Sequence, residues 1–554
     1  MPRRCQAGPP ASLPGQFQAE SLQRLILGRD IFNICVFENR GETALSVLGF
    51  VTSFLEPART PNKRPLNTVL FSVGLTIALV CLSCPRANAS VGVVLNESLN
   101  SSVDRITGTG HSAIYFSRIC PDSPVKLRLC RPDEQGSVMS NYINIGEDQP
   151  FEWNVVPLSM YLYGVEDPRN RPLFGSFKIK HLLEERYRTK YLTTYCQGTP
   201  CTTSYKAEWR EMVAATMIRS VYIFVVDTTI EQDRELIAEF NSLPNRNHFN
   251  GVTNNCADFT RRVINTYFPH ATNPDYINDF GMTSPKAIAR SFTRYALRHP
   301  EANFRVLHFA QVPGTIKRSS ECRAGTEQLY HSKKFLVPMI LFADHELPVV
   351  AASYVLTGRF NPERVLEEYP SSEATEIAQA IQLAKAEQDK TRGEQLKIVQ
   401  NQEQARVIGT QEEWNAYREE FDSMINEAIR GEVVADRKDL NRFFKRIDET
   451  GTPLVDGNGA VWMEIADGDG TSKVGLSASN VLAPISDSRA AYRLILARVT
   501  YVLKSPKHGR ETMLEFKKDW ALVGAARVKS EVSPERSAKA YIGTQSIAPA
   551  SGDD

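Results

Sequence analysis

The chain has 554 residues, a formal net charge of +1 and hydrophobic residues at 42% of positions. That length holds about two to four domains with ample core, and a charge so near zero lays down no electrostatic footprint for nucleic acid or a strongly acidic partner. No glycine-rich phosphate loop and no basic, aromatic-laced platform occurs, so neither a nucleotide nor a nucleic acid is an expected ligand.

Residues 1–62 are rich in Pro, Arg and Gly and read as a low-order extension. Lys63-Arg64, an apolar run from Val69 to Leu82, and Ala87-Asn88-Ala89 then follow in the order of a secretory signal. Residues 63–89 are therefore a signal peptide or membrane anchor, with Ser90 as the expected mature N-terminus. At about 14 residues the apolar run is short for a bilayer span. Its late position allows two accounts. Either the start codon is misassigned, or a cytosolic extension precedes an uncleaved anchor in the segment 66–84. Both give an exported, periplasmic or cell-envelope protein, with membrane association through this segment.

Six cysteines lie beyond Ala89: Cys120, Cys130, Cys196, Cys201, Cys256 and Cys322. Proximity in sequence pairs Cys120 with Cys130 and Cys196 with Cys201 as short disulfide loops in an oxidising compartment. Cys256 and Cys322 are left over.

Gly108-Thr109-Gly110 is a turn signal, and His111 to Phe116 alternates as a strand, with His111, Ala113 and Tyr115 on one face. A second strand-like run covers Ser140 to Ile145. Val221 to Val226 reads as a buried strand, and Thr228 or Thr229 caps a helix through about Asn241. Asn254 or Asn255 caps the next helix, in which Cys256, Phe259, Val263 and Tyr267 recur at helical spacing beside Ile264. A thiol at a helix N-terminus has its pKa drawn below about 8.5, and a nearby imidazolium lowers it further. The competing reading is a buried structural cysteine. Ser284-Pro285 opens a further helix to about Leu297.

Phe335 to Leu356 is apolar but broken by Pro338, Asp344, Glu346 and Pro348, as a buried core segment is. Ser371 to about Gln404 is a long exposed helix. Thr410 with Glu413 is a capping box, followed by a stripe of Trp414, Tyr417, Phe421, Met424, Ile425 and Ala428 that suits a core or a partner helix. Asp456-Gly457 and Asp467-Gly468 mark hairpins. The run Asp467 to Thr471 falls short of a calcium loop, because Ser472 and Ala478 stand where Gly and Glu are required. His345-Glu346 lacks the second histidine of a zinc helix. No metal or other cofactor is expected. Residues 530–554 form a tail of disordered composition.

The motifs Gly110-His111-Ser112-Ala113-Ile114-Tyr115 and Asn254-Asn255-Cys256-Ala257-Asp258-Phe259 resemble those of circularly permuted papain-like hydrolases. That group includes permuted NlpC-type peptidases, YiiX-like proteins, lecithin retinol acyltransferase relatives and Lnb-type periplasmic domains. The resemblance covers roughly residues 100 to 300. It implies an α+β fold, with an antiparallel sheet plus helices over residues 90–330. It also implies a strand-borne base, His111, preceding the nucleophile, Cys256. Glu-His usually follows the cysteine in the acyltransferase branch, whereas Ala257-Asp258 follows here. Asn141 and Asn144 are the candidates for the polar residue that orients the histidine. Apolar and helical residues 331–450 and a small mixed domain at 451–529 complete the expected organisation.

The expected activity is thiol hydrolysis or transfer at an amide or ester. A peptidoglycan peptide or a lipid acyl group is the substrate implied by the resemblance. The rival reading is a non-catalytic envelope binding protein that keeps the fold.

Overall fold

The computed structural model of the chain describes residues 89–99, 110–141, 151–192, 212–246, 253–331, 354–371, 411–467, 470–481 and 488–504, with isolated positions elsewhere. All belong to one compact unit, Pro85–Asp554.

Six strands form an antiparallel sheet: β1 (Ala89–Asn96), β2 (His111–Phe116), β5 (Ser137–Ser140), β6 (Asn154–Pro157), β7 (Val221–Thr228) and β8 (Arg305–Phe309), in the order β6-β5-β2-β1-β7-β8. A hairpin of β3 (Ile119–Ser123) and β4 (Lys126–Leu129) branches off. Strand β1 is central, and all eight of its residues are buried. A sheet covered on both sides accounts for the unbroken apolar run of β7, in contrast to strict polar alternation.

The pleat sorts side chains into two cores. Val91, Val93, Leu95, Ile114 and Phe116 pack with helices α3 (Ile230–Ser242), α4 (Cys256–Tyr267) and α5 (Pro285–Arg298). Val94, Ala113, Tyr115, Ile223 and Leu307 lie on the other face. They share a core with α1 (Leu158–Tyr163), α2 (Phe177–Tyr187) and the C-terminal elements. Those elements are α8 (Gln411–Arg430), α9 (Arg437–Thr450), a sheet of β9 (Gly451–Val455), β10 (Val461–Asp467) and β11 (Gly470–Gly475), and α11 (Ser488–Leu503). Three short helices, α6 (Gly325–His331), α7 (Pro362–Glu368) and α10 (Ala478–Val481), complete the fold. The molecule is thus α+β, with a small C-terminal sheet and helices against one face of the main sheet.

Thr229 and not Thr228 caps α3, in a reciprocal box with Gln232, and Ser284 caps α5 with Pro285 at its first position. Phe421, Met424, Ile425 and Ala428 are core residues, with Trp414 and Tyr417 packed beside them. Both predicted hairpins form, at β9–β10 and β10–β11. Cys120 and Cys130 are disulfide-bonded, with Cα atoms 4.8 Å apart. One expectation shifts: β5 ends at Ser140, where the strand-like run was expected to begin. The apolar content that marks this strand, Val138 and Met139, precedes Ser140. Cys196, Cys201, the segment 63–88, Thr410, residues 372–410 and the tail lie outside the described residues. No helix among the described residues is long and apolar enough to cross a membrane.

Asp233 is fully buried in α3 and accepts a 2.8 Å hydrogen bond from the Tyr267 hydroxyl of α4. Burial raises its carboxyl to about 6, against the opposing pull of that bond and of Arg118. The folded pKa exceeds the unfolded value near 3.9, so the native state holds the proton more tightly. Stability therefore falls as pH rises from about 4 to 6, and the loss is complete above that window. Asp233→Asn keeps an acceptor for Tyr267 and removes the charge. Denaturant titrations should show the variant gaining about 2 kcal/mol relative to wild type between pH 4 and 7.5. An equal change in both proteins counts against this assignment.

Candidate functional site

Cys256 is the first residue of α4 and Asn255 is its N-cap. The Asn255 side-chain carbonyl accepts from the N–H groups of Ala257 (2.8 Å) and Asp258 (3.1 Å). Asp258 Oδ2 accepts in return from the Asn255 N–H (3.3 Å). This box satisfies donors that have no acceptor within the helix. The same turn is tied to the next helix. Asn255 Nδ2 donates to the Thr283 carbonyl (3.0 Å), and the Thr283 hydroxyl donates to Asp258 Oδ1 (2.6 Å). Asn250 and Asn254 exchange two backbone bonds just before it. The turn is braced on several sides, while the cysteine stays half-exposed.

His111 opens β2 opposite Asn96 and is 6% exposed. Burial, and then the charge of Arg219, hold its pKa well below the usual histidine value. The imidazole is neutral at physiological pH. It can accept a proton, but it is not the resident cation that would lower a thiol pKa by its charge.

Helix α4 runs alongside β2 in the same direction. The Ser112 and Thr260 hydroxyls lie 3.2 Å apart near its start, and the Phe116 and Tyr267 rings lie 6.3 Å apart near its end. Thr260 donates to the Cys256 carbonyl (2.8 Å), so Ser112 is the donor between the two hydroxyls. Cys256 precedes Thr260 by one turn, about 6 Å along the axis, or roughly two strand residues. That sets it level with Gly110 and His111. The pleat separates the two side chains, however. Ser112 turns toward α4. His111 shares the opposite face with Ala113, Tyr115 and its partner Asn96, whose amide donates to the Tyr161 hydroxyl of α1. The thiol and imidazole thus belong to one end of β2 and to different sides of it.

Gly110 has φ +73°, and a Cβ there would lie 2.4 Å from both the Cys322 sulfur and the Asn96 carbonyl oxygen, so only glycine fits. Cys322 donates to the Asn96 carbonyl (2.9 Å), and burial, then Glu97, push its thiol far above the ordinary range.

Asn141 is 1% exposed, and neither of its amide atoms has a hydrogen-bond partner among the described residues. The β2–β5 register, carried on from Ile114↔Met139, brings it opposite Ser112 and not opposite His111. Ser140 and its cross-strand partner Asn154 are likewise buried with unpartnered side-chain atoms. Asn144 lies outside the described residues. An open groove of about 380 Å³ runs along the outer side of α4, lined by Asn254, Asp258, Arg261, Arg262 and Asn265, and neither Cys256 nor His111 borders it. Among the described residues, the one cluster of potential metal ligands is Cys120, Cys130 and Glu134, whose sulfurs are already bonded to each other.

No family model, curated protein or solved structure matches the chain. Sequence reasoning missed Ser112, Thr260 and Thr283, which brace the cysteine turn, and Arg219, which acts on the histidine. Asp258, three residues after Asn255, was a visible capping signal. The other contacts join residues far apart in sequence and leave no local pattern.

Replacing Asn255 with Ala removes the cap and its tie to Thr283, and should cost about 1–2 kcal/mol in denaturant unfolding. Cys256→Ala, which touches neither, should change stability by less than about 0.5 kcal/mol. Equal costs would show that the brace described above is not what holds this turn.

Proposed function

We propose that the protein is an exported thiol hydrolase or acyltransferase of the permuted papain-like kind, acting on an amide or ester carbonyl of the cell envelope. The observation that carries this reading is the half-exposed Cys256 at the first position of a helix whose start is braced to a neighbouring helix and strand. A nucleophile works best when its scaffold is held still and its attack path is open. His111, held neutral, is the base that this reading requires to take the thiol proton. The sulfur attacks the carbonyl carbon, and the backbone N–H of Cys256 donates to the developing oxyanion. The imidazolium then returns the proton to the leaving amine or alcohol, leaving a thioester on Cys256. Water or an acceptor alcohol or amine attacks that thioester, again with His111 taking the proton, and the thiol is restored. Asn141, opposite Ser112 and so on the α4 side of the sheet, contributes its amide to the substrate.

The pleat that turns His111 toward Asn96 and Tyr161 favours the second reading, in which the same fold binds a ligand without turning it over.

Alkylation by iodoacetamide, followed by peptide mass spectrometry, separates the two. Cys256 should be modified at pH 7 at least tenfold faster than buried Cys322, and His111→Ala should slow it by at least tenfold. Because the imidazole pKa is depressed, the His111-dependent rate should persist well below pH 6.5 before it falls. A Cys256 rate indifferent to His111 leaves the binding protein as the correct account.

A further inference from the structure

We propose that the loop between α4 and α5 is a docking surface for a lipid bilayer. Within seven residues it presents Tyr276, Ile277, Phe280 and Met282, which are 61%, 57%, 48% and 37% exposed. These are four of the eight large hydrophobic side chains exposed among the described residues. A cluster of that kind marks an interaction site, unlike singly scattered exposed residues.

The loop is held rigidly with its polar groups turned inward. Asp275 pairs with Arg290 of α5. Asp279 accepts from the Ser284 hydroxyl (2.7 Å) and the Gly325 N–H (3.0 Å). The Asn278 carbonyl accepts from the Thr326 N–H (2.8 Å), and the Tyr276 carbonyl from the Gly281 N–H (2.8 Å). Phe280 has φ +53°, a left-handed backbone that a bulky residue adopts only where its surroundings over-determine it. One edge of its ring lies against Gly325 of α6, and the residue is still 48% exposed.

Two observations select a bilayer as the occupant. First, Asp275 and Asp279 are the loop's only charged residues, and both are occupied inside, so the outward face offers no charge for a polar partner to read. Apolar and aromatic side chains without charge suit the boundary between headgroups and acyl chains. Second, the apolar surface continues onto a neighbouring segment: Gly358 packs against Asn278 of the loop, and the same short turn, Tyr354–Gly358, carries Val355, which is 51% exposed.

This surface does not depend on the thiol reading. Flotation with phosphatidylethanolamine–phosphatidylglycerol vesicles tests it on the unit Pro85–Asp554, which contains both cores and omits the apolar run Val69 to Leu82. Wild type should float. Ile277→Asn/Phe280→Asn should reduce the bound fraction at least tenfold with an unchanged thermal midpoint, since Asn tolerates the left-handed backbone. Should that variant fail to fold, Tyr276→Ser/Met282→Gln should give the same loss. Phe177→Asn, which removes an aromatic exposed elsewhere, and Cys256→Ala should both float as wild type. The proposal fails if wild type stays unbound or the loop variants float undiminished. It also fails if wild type is a dimer that the variant dissolves without vesicles, since the patch is then a contact between two copies.

Discussion

Strand β1 is paired along both edges and covered on both faces, and that double burial governs the rest of the molecule. Each of its side chains must enter one core or the other, with no solvent face to absorb an error. A shift of one residue in its register would exchange Val91, Val93 and Leu95 for Gly92, Val94 and Asn96. Helices α3, α4 and α5 are matched to the first set, and α1, α2 and the C-terminal elements to the second. The strand therefore decides on which side of the sheet the cysteine helix lies, and on which side the histidine points. Its first residue, Ala89, is also the last residue of the expected cleavage motif.

The same constraint sets the chemistry of the two candidate groups apart. Cys256 lies where helix geometry and a shell of short polar contacts hold the backbone while the residue stays half-buried. His111 lies where apolar packing and Arg219 remove the advantage of carrying charge. A histidine so placed is held as the neutral imidazole, in contrast to the cationic half of a standing ion pair. The buried amides of Asn141 and Asn154 and the hydroxyl of Ser140 gather at this end of the sheet. Burying polar atoms without partners costs free energy, so such a gathering is expected where a ligand or ordered water supplies the missing bonds.

The C-terminal half contributes mainly apolar surface. Phe421, Phe444, Leu494 and their neighbours complete the core on the face of the sheet away from α4. The α4–α5 loop does the reverse: it spends its polar groups on internal anchors and leaves its apolar side chains outside.

Local sequence determined much of the architecture. Strands β2 and β7, helices α3, α4 and α5, the caps at Asn255 and Ser284, both C-terminal hairpins and the Cys120–Cys130 bridge all follow from short-range patterns of capping residues, turn residues and apolar periodicity. These are properties of a few neighbouring residues, and the sequence displays them directly. The alternation of His111 with Ala113 and Tyr115 was legible too. Which of those two faces would meet α4 was not, because that depends on how strands far apart in sequence pair and on which helices cover them. The brace around Cys256 joins Ser112 to Thr260 and Asn255 to Thr283, across as many as 148 positions. Arg219 acts on His111 from the approach to another strand. Hydrogen bonds and charges act through space and leave no periodicity along the chain, so only the tertiary structure could decide these contacts.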